Sequence, residues 1–533
     1  MRTIRPSARE QLAAFARYAR ALPRFLGSPV TPDEGRARVR RWLAVRDESF
    51  LTLLDRAVWA NPRSPYLLLM EAAGVEAGDV RGMVRGRGLE DALEALRESG
   101  VYVTLDEFKG RAPLERGGAA LPAGEGQFDN PLIAGHYWGR TGGSGGTSRR
   151  VAVDLHRLEH EGASQGIFRE AFGLDGRPFG IWRVIPPSRA GLNNYLYQMK
   201  SGASVQRWFN PYTPPRGPES LAYWLFTEYT LRVGRRFGAQ LRGIESCPAS
   251  DAARVASWLA ECAAAGAPAV LDAQAGLAVR ACLAAGERGL DIAGSFFRTG
   301  GEPLTEAKAR VFEEAGCRVA CHYAMAEVGR IGWACAAPED HDDVHLAMDK
   351  LALIQRRRET PGGGGSVDEL LLTTLLPDAS KIMINVESGD YAIRTERRCD
   401  CPLGALGLSV HLRQIRSHEK LTTEGNTFLG SDLLKLLDEV LPGRFGGAPT
   451  DYQLLEEEQG NGLSTVTVVV GPRVGEVSDE AVLDAVREHL RERPANRLMA
   501  DFWEQTGALR VARREPVVTA AGKILPLQPG PPA

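Results

Sequence analysis

The sequence has no apolar run long enough to cross a membrane and almost no net charge. Lysine and arginine number 65 and aspartate and glutamate 67, so the formal net charge is −2. This balance excludes a global electrostatic attraction to nucleic acid or to an anionic membrane. The 8 cysteines in 533 residues are too few for a disulfide scaffold, and no internal repeat is visible. The remaining composition, 44% hydrophobic and 25% charged, is typical of a globular protein.

The length of the chain predicts more than one domain, because 533 residues exceed what a single hydrophobic core accommodates. The segment Arg2–Arg24 is rich in arginine and amphipathic, and it lacks the apolar centre of a secretory signal. We favour a surface helix over a transit peptide for this segment. We therefore expect a cytoplasmic protein with no membrane span.

Hydrophobic periodicity divides the chain into four regions. Residues 1–110 read as helical, and residues 150–330 alternate strand-like runs with amphipathic helices, which is typical of a parallel sheet covered by helices. Residues 365–415 are strand-rich, and the last hundred residues resemble a small α+β unit. The predicted elements include strands over Ser295–Phe297, Cys317–Cys321, Glu369–Thr374, Lys381–Val386, Ser464–Val470 and Leu509–Arg513, and helices around 432–440 and 479–491.

Glycine and hydroxyl residues dominate one stretch, which two arginines close: Thr141, Gly142, Gly143, Ser144, Gly145, Gly146, Thr147, Ser148, Arg149 and Arg150. Glycine allows backbone N–H groups to converge on a ligand, and hydroxyl and guanidinium groups add donors and charge. A polyphosphate is the ligand that these donors suit best. The stretch fits neither GxxxxGK[ST] nor GxGxxG, so a flexible Gly/Ser linker remains the alternative on these residues alone.

Two further motifs follow strand-like runs, where ligands bind in open parallel sheets. The first is Gly300-Gly301-Glu302-Pro303-Leu304, which opens a helix. The second is Tyr323-Ala324-Met325-Ala326-Glu327-Val328-Gly329. Both motifs predict polar groups at one edge of the sheet.

The Gly-rich stretch, the GGEPL segment and the YxMxE segment occur in an order that resembles the adenylate-forming enzymes. These are the acyl-CoA ligases, nonribosomal adenylation domains and luciferases, and the phenylacetate-CoA ligase type is the most similar branch. Ser388-Gly389-Asp390 resembles the ribose-binding motif of the family, and Thr519–Ile524 resembles its catalytic-lysine loop. The five motifs extend from residue 141 to residue 524.

The resemblance implies a role for each matching residue. Thr141–Thr147 and Arg149 correspond to the phosphate loop, and the nucleotide site is completed by Gly301, Glu302, Pro303, Tyr323, Ala326 and Asp390. Tyr323 offers a face for adenine, Asp390 accepts hydrogen bonds from the ribose, and Glu327 supplies an oxygen for Mg²⁺. Taken singly, a tyrosine of this kind packs in a core, an aspartate lies in a turn and a glutamate begins a helix.

The catalytic and hinge residues are also implied by the resemblance. Arg416 corresponds to a ribose and phosphate contact, Lys523 to the lysine that binds the carboxylate and the α-phosphate, and His418 to the hinge. The implied fold is α/β: a large adenylate-forming domain over 1–416, with helix-covered sheets and a β-rich part, and a small mobile α+β domain over 417–533.

The implied reaction joins a small carboxylic acid to ATP with Mg²⁺ and then to a thiol. The thiol is coenzyme A or the phosphopantetheine of an acyl carrier protein, and secondary metabolism is the expected setting. We consider Asn193–Tyr197 and Phe296–Phe297 as the lining of the acyl pocket, with core packing as the alternative. No nucleic acid partner is expected.

A zinc site is implied by the same branch, which often carries a structural zinc. Cys335, His345, Cys399 and Cys401 provide three thiolates and an imidazole for a closed tetrahedral site. His341 is a competing ligand. The other cysteines are interpreted as core or helix residues: Cys247, Cys262, Cys282, Cys317 and Cys321.

Several positions depart from the family pattern. Ala326 stands where relatives carry a threonine that contacts the AMP phosphate, and the others are Ala324, Gly145, Ser148, Arg149, His418 and Gly430. These departures keep two alternatives open. One is an adenylating enzyme that uses a non-thiol acceptor or a small oxyanion substrate, and the other is a catalytically weak nucleotide-binding relative.

Overall fold

The computed structural model describes residues 8–124, 126–140, 150–186, 188–211, 218–359, 366–417, 422–423, 426–427, 430–458, 464–492, 503, 509–518, 524 and 526–529. The Gly-rich segment Thr141–Arg149, the expected hinge His418 and the expected catalytic Lys523 lie outside these residues.

Seven helices form the N-terminal region, as the periodicity predicts: α1 (Ala8–Gly27), α2 (Pro32–Ala44), α3 (Arg46–Leu54), α4 (Pro65–Ala72), α5 (Ala77–Arg87), α6 (Leu89–Glu98) and α7 (Leu105–Phe108). Helix α1 buries Tyr18 and Leu22 and exposes Leu12 and Phe15. It is therefore an amphipathic surface helix, as expected. None of the described helices combines the length and the apolar character that a membrane span requires.

The remaining helices of the described chain are α8 (Leu155–Ala171), α9 (Ala190–Lys200), α10 (Pro218–Arg236), α11 (Ala252–Ala264), α12 (Ala275–Glu287), α13 (Glu306–Glu314), α14 (Gly430–Lys435), α15 (Leu441–Phe445) and α16 (Asp479–Arg491). The first strands are β1 (Leu114–Arg116), β2 (Ala119–Leu121), β3 (Tyr137–Arg140), β4 (Arg150–Val153), β5 (Phe179–Trp182), β6 (Arg207–Asn210), β7 (Ile244–Ser246), β8 (Val270–Ala273), β9 (Phe296–Gly300), β10 (Arg318–Met325) and β11 (Gly329–Ala334). The later strands are β12 (Val344–Leu346), β13 (Leu351–Glu359), β14 (Ser366–Thr374), β15 (Val386–Glu396), β16 (Val410–Ser417), β17 (Thr422–Thr423), β18 (Asn426–Thr427), β19 (Tyr452–Glu458), β20 (Ser464–Val470), β21 (Leu509–Arg513) and β22 (Leu527–Pro529).

A twelve-stranded sheet organises the large part of the molecule, in the order β13-β14-β15-β16-β12-β11-β10-β9-β8-β5-β6-β7. Strands β7, β6, β5, β8, β9 and β10 are parallel, and from β10 to β13 every neighbouring pair is antiparallel. The expected helix-covered parallel sheet and the expected β-rich part are thus two halves of one sheet. Strand β10 joins them.

Both faces of the parallel half are packed. Phe296 and Phe297 are adjacent on β9 and belong to different apolar clusters, one on each face of the sheet. Both side chains are fully buried. The expectation that this pair lines an acyl pocket is therefore wrong, because the alternation of the strand places the two rings in two separate cores.

The segment Lys381–Asn385 is not a strand, in contrast to the prediction, and β15 begins at Val386. Its apolar side chains are buried, and Ile382 N donates to the Phe128 carbonyl (2.9 Å). The backbone N–H groups of the next three residues donate to side chains instead of to a ladder. Ile384 N donates to Tyr66 Oη (2.9 Å), and Asn385 N donates to Thr373 Oγ1 (2.9 Å). Asn385 also has a left-handed backbone (φ 50°), which ends regular pairing.

The C-terminal unit contains a four-stranded sheet in the order β21-β20-β19-β22, with its own apolar core. Strands β20 and β21 and helix α16 coincide with the predicted elements. This unit contacts the large part through Arg280 Nη2, which donates to the Thr450 carbonyl (3.3 Å), and through Lys308 Nζ, 3.7 Å from Asp438 Oδ2. The domain boundary at 416/417 stays a prediction.

Candidate nucleotide site and metal cluster

Tyr323 lies near the end of β10, where the sheet changes from parallel to antiparallel pairing. The register between β10 and β11 shifts between Tyr323 and Ala324. A register shift of this kind bends the strand and turns the following side chains, and such irregularities are common next to functional sites. The YxMxE segment therefore leaves the regular sheet at this point.

The hydroxyl of Tyr323 donates a hydrogen bond to Asp390 Oδ2 (2.8 Å), although the two residues are 67 positions apart. Asp390 lies on β15, and its own N–H donates to Ser388 Oγ (3.1 Å). Burial and the neighbouring charge of Asp390 raise the pKa of Tyr323 well above its usual value, so the phenol stays protonated. The structure thus joins two segments that the sequence links only by resemblance.

The GGEPL segment follows β9. Gly301 has φ +85°, a backbone conformation that favours glycine. Glu302 turns back towards α12, where its Oε2 accepts from Gly276 N (2.8 Å). Its Oε1 is buried and has no hydrogen-bond partner among the described residues. The Pro303 carbonyl accepts from Lys308 Nζ (3.3 Å), so this segment anchors two helices beside the sheet edge.

Glu327 is almost fully buried (3% exposed) and forms an ion pair with Lys109, whose Nζ is 2.5 Å from Oε1. Burial raises the pKa of Glu327, but the charge and hydrogen bond of Lys109 outweigh burial, and the net pKa is below the usual value. The carboxylate is therefore ionised at neutral pH. Lys109 follows the short helix α7, which Thr104 caps together with Glu107.

We use the name Glu327 cleft for the open cleft lined by Phe108, Lys109, Gly126, Phe128, Arg150, Val151, Glu327 and Lys381. Three of these side chains are cations. Lys381 pairs with Asp129 (Nζ to Oδ1, 2.5 Å), and the Arg150 guanidinium lies 4.0 Å from the centre of the Trp138 ring. Arg150 is the first described residue after Thr141–Arg149.

The cleft fits a divalent cation held together with an anionic ligand. Mg²⁺ binds proteins through one or two carboxylates and takes its other oxygens from water and phosphate. The ionised Glu327 provides one hard oxygen ligand, and the cations of the cleft suit phosphate oxygens. Lys109 already pairs with the Glu327 carboxylate, so a metal ion bound there would share that carboxylate with Lys109.

Arg416, the expected ribose and phosphate contact, lies on β16 opposite Tyr391, the residue after Asp390. Its Nη1 is 2.8 Å from Asp342 Oδ2. Asp342 is buried, and it also accepts from Gln414 N (2.8 Å). The arginine is thus held beside the Tyr323–Asp390 pair by an aspartate that sequence reasoning did not find.

We use the name Cys/His cluster for Cys335, His345, Cys399 and Cys401, whose ligand atoms all lie within 4.8 Å of one another. Cys335 Sγ is 3.5 Å from Cys399 Sγ, and His345 Nε2 is 3.0 Å from Cys401 Sγ. The expected four residues are therefore brought together from β11, β12 and the loop between β15 and β16. His341 is exposed and outside this group, so its candidacy as a competing ligand was wrong.

The donor set of the Cys/His cluster fits a tetrahedral metal ion. His345 Nδ1 donates to the Leu408 carbonyl (2.7 Å), which leaves Nε2 free to be the ligand atom. Sulfur atoms bound to zinc at about 2.3 Å are about 3.8 Å apart in a tetrahedron, close to the separation of Cys335 and Cys399. Gly404 is required beside the cluster, because a Cβ there would be 2.1 Å from the Cys399 carbonyl oxygen.

A second group of possible ligands adjoins the cluster and was not found from the sequence: Cys335, Asp343 and His411. His411 lies opposite His345 in the register of β12 and β16, with ring centres 4.0 Å apart. Asp343 Oδ1 is 2.7 Å from His411 Nδ1. The only sequence signal would be strand pairing, and register is not readable from one chain.

Comparison with known proteins finds similar folds among solved structures. The 2-hydroxyisobutyryl-CoA ligase in the postadenylation state, in complex with R3-HIB-AMP, matches with a TM-score of 0.52 and 15% identity, over 91% of this chain and 89% of the ligase chain. The same ligase with 2-HIB-AMP and CoA in the thioesterification state gives 0.44 and 17%, over 91% and 90%. The amide bond synthetase McbA from Marinactinospora thermotolerans gives 0.41 and 14%, over 96% and 98%.

No protein-family model matches the sequence, and no curated protein matches it. At 15% identity the first structural match establishes the fold and leaves the activity open. The resemblance to the phenylacetate-CoA ligase branch stays a prediction. The chain has the fold of the adenylate-forming ligases.

Proposed function

We propose that this protein is an ATP-dependent ligase that activates a carboxylic acid as an acyl-adenylate and then transfers the acyl group to a thiol. The observation that carries the proposal is the hydrogen bond between Tyr323 and Asp390 at the point where the parallel half of the sheet ends, within the fold of the adenylate-forming ligases. The ionised Glu327 follows in the same YxMxE segment.

In this proposal Tyr323 stacks on adenine, and its hydroxyl orients Asp390 towards the two ribose hydroxyls. Arg416 contacts the ribose and phosphate from the neighbouring strand, with Asp342 holding its guanidinium. Gly301, Glu302 and Pro303 form the adjacent wall. A tyrosine fixed by a charged acceptor loses little entropy when the nucleotide binds.

The β- and γ-phosphates would lie between the segment Thr141–Arg149 and the Glu327 cleft, where Lys109, Arg150 and Lys381 supply positive charge. Glu327 would hold Mg²⁺, which neutralises phosphate charge when it is bound. The attack of a carboxylate on the α-phosphorus requires positioning and charge neutralisation more than covalent help, and these side chains are suited to provide both.

Lys523 would bind the carboxylate and α-phosphate oxygens as they join, and His418 would be the hinge of a small domain over 417–533 that moves against the domain over 1–416. Such a movement separates adenylation from thioester formation and keeps water away from the adenylate. Coenzyme A or a carrier-protein phosphopantetheine is the proposed acceptor. We propose that Ala326 takes the position where relatives contact the AMP phosphate.

We also propose that the Cys/His cluster binds a structural Zn²⁺. Four protein ligands leave no open position for a substrate, so the metal ion would stabilise the connection between β11, β12 and the β15–β16 loop. Its chemistry would be separate from the reaction at Glu327.

The experiment that tests the function is carboxylate-dependent release of pyrophosphate from ATP, measured across aryl, alkyl and amino acids and small oxyanions, with and without coenzyme A. Release with one carboxylate supports adenylation, and a requirement for coenzyme A during turnover supports the thiol acceptor. Turnover without any thiol would instead favour an amine or another non-thiol acceptor.

The second candidate is a catalytically weak nucleotide-binding relative. Two observations favour it: Lys109 occupies one oxygen of Glu327, and Ala326 has no hydroxyl. This candidate predicts that ATP binds but that no acid in the panel releases pyrophosphate. Calorimetric binding of ATP, measured alongside the release assay, distinguishes it from the ligase.

A further inference from the structure

Two buried arginines have guanidinium N–H groups without partners. Arg157 is 5% exposed and Arg189 is 7% exposed. In each of them Nε and Nη1 are buried and have no hydrogen-bond partner among the residues that the structure describes. A buried guanidinium with unpaired donors is unfavourable, because it loses water without gaining protein partners. The pair therefore requires an explanation other than packing.

Arg189 contacts both β3 and the YxMxE segment. The stem of its side chain packs directly on Gly139, where a Cβ would be 1.7 Å from Arg189 Cγ. Gly139 is on β3, the strand that leads into the Gly-rich segment. At its other end, Arg189 Nη2 donates to the carbonyl of Ala326 in the YxMxE segment. The Arg189 side chain, with its two free N–H-bearing atoms, thus connects β3 to the YxMxE segment.

Arg157 contacts the last residue of the YxMxE segment, Gly329. It lies in the first turn of α8, just after β4, the strand that leads out of the Gly-rich segment. Its Nη1 lies against Gly329, where a Cβ would be only 2.4 Å away. Burial first and then the charge of Arg157 lower the pKa of Arg189 to about 10.

The acidic groups near this pair are engaged elsewhere. Glu161 pairs with Lys350 (2.6 Å), and Glu327 pairs with Lys109 (2.5 Å). Asp378 pairs with His160 (2.9 Å). Glu161 and Asp378 influence Arg157, and Glu327 influences Arg189, only through space. The second oxygen of Glu161, Oε2, has no hydrogen-bond partner among the described residues.

A structural arginine of the same chain looks different. Arg298 is fully buried, and all its N–H-bearing atoms are bonded: Nε to Asp272 Oδ2, Nη1 to Gln165 Oε1 and Nη2 to Asn194 Oδ1, each at 2.5 Å. Arg280 and Arg330 are also buried, and each leaves one guanidinium nitrogen without a partner among the described residues. Arg157 and Arg189 each leave two, Nε and Nη1.

We propose that Arg189, with Arg157 beside it, binds an oxyanion of the reacting molecules through its free Nε and Nη1 groups. The inference rests on the proposed function for the source of that anion, which is the α-phosphoryl group of the nucleotide or the carboxylate of the acid. Guanidinium groups suit either, because both anions accept paired hydrogen bonds. Arg189 is held by Ala326, so it supplies donors at the residue that lacks the threonine hydroxyl.

The first test compares ligands that differ only in the anion. Calorimetry measures the binding of AMP and of adenosine to wild-type protein, Arg189→Met and Arg157→Met, with Arg254→Met, an exposed arginine of α11, as the control. Loss of charged hydrogen bonds predicts that AMP binds about 10- to 100-fold more weakly to Arg189→Met, with adenosine unchanged. Thermal stabilisation by inorganic phosphate and by benzoate is measured on the same proteins and shows which anion the site prefers.

The second test separates binding from structure. Replacing an unpaired buried cation by an apolar residue does not destabilise a protein, whereas breaking a satisfied buried pair does. We therefore expect Arg189→Met to melt at or above the wild-type temperature, and Arg298→Met to melt several degrees below it. Arg189→Lys, which keeps the charge and loses the planar fork, should recover part of the AMP affinity.

The outcomes are distinct. If Arg189→Met loses only AMP affinity and stabilisation by phosphate, the site binds a phosphoryl group. If it loses only stabilisation by benzoate, the site binds a carboxylate. Unchanged responses to all three anions, or a melting temperature for Arg189→Met as low as that of Arg298→Met, overturn it. Wild-type protein that binds neither adenosine nor AMP contradicts the proposed function instead, and the phosphate and benzoate responses still decide the anion site.

Discussion

The Cys/His cluster and the Glu327 cleft lie in the same sheet but satisfy their charged groups in opposite ways. In the cluster, four ligand atoms face one another, and backbone groups fix the imidazole. In the cleft, the charged groups are paired one to one, Glu327 with Lys109 and Lys381 with Asp129, around an open space. The closed arrangement suits a structural metal ion. The open one suits a ligand that enters and leaves, so substitutions should affect stability in the first and binding or rate in the second.

The sharpest test of this contrast is removal of a cluster ligand. Cys401→Ser should lower the free energy of unfolding by more than about 4 kcal/mol, because metal affinity is folding free energy in a site of this kind. The measurement is denaturant unfolding together with zinc content. Cys262→Ser, a half-buried cysteine of α11, is the control and should change little. Wild-type stability in Cys401→Ser, or in zinc-free protein after chelation, would break the comparison.

In the cleft, Glu327→Gln should act mainly on the rate, and it should lower the stability less than Cys401→Ser does, because Lys109 loses its charged partner but is partly exposed. The amide keeps the shape and a partner for Lys109 but cannot compensate the charge of a divalent cation, so adenylation should fall about 100- to 1,000-fold. Pyrophosphate release and thermal melting measure the two effects. Glu313→Gln, an exposed acid of α13, controls for the loss of one negative charge. An unchanged rate in Glu327→Gln would remove this residue from the reaction.

His322 lies on β10, the strand that joins the parallel and antiparallel halves of the sheet. Its titration provides a test of how this strand is buried. Burial, and then the charges of Arg330, Arg298 and Arg183, hold its pKa well below 6.5, whereas in the unfolded chain it titrates near that value. From pH 7.5 to pH 5.5 the unfolded state takes up a proton that the folded state does not, so the stability falls by about 1.4 kcal/mol through this residue. His322→Asn, which keeps an acceptor for Ala334 N, should lose that part of the pH dependence. If the unfolding free energies of the wild type and of His322→Asn changed with pH in the same way, His322 would not titrate as described.

The smallest effect is expected for Tyr323→Phe. The ring remains for stacking, and only the hydroxyl that donates to Asp390 is removed, so the free energy of unfolding should fall by about 1 kcal/mol and ATP affinity by no more than about 10-fold. Calorimetry and denaturant unfolding measure both. Tyr323→Ala should weaken ATP binding further, because it also removes the aromatic face. Equal ATP affinities in the two variants would contradict the stacking role.

The sequence was informative where one residue type or one period determines the structure. Three C-terminal elements coincide with their predicted bounds: strands Ser464–Val470 and Leu509–Arg513 and helix Asp479–Arg491. The spacing of their apolar residues predicts only one type of element in each case. The four residues of the Cys/His cluster could be named in advance only through the family resemblance, which implies a structural zinc site, and the structure brings these four residues together.

The sequence was uninformative where a single charged residue meets a distant partner. Lys109 and Glu327 are 218 positions apart, and Arg189 and Ala326 are 137 positions apart, and no local pattern connects them. Tertiary contacts also determine the conformation of Lys381–Asn385. Its apolar run resembles a strand, but two of its backbone N–H groups donate to the side chains of Tyr66 and Thr373.

The most direct test of the central claim is pyrophosphate release by the wild-type protein and by Lys523→Ala, with the acid that the substrate panel selects. We predict carboxylate-dependent release by the wild type and a loss of about 100-fold or more in Lys523→Ala, with unchanged ATP binding and melting temperature, because the lysine acts on the developing charge and not on the fold. Equal release by the two proteins would contradict the proposed adenylation mechanism.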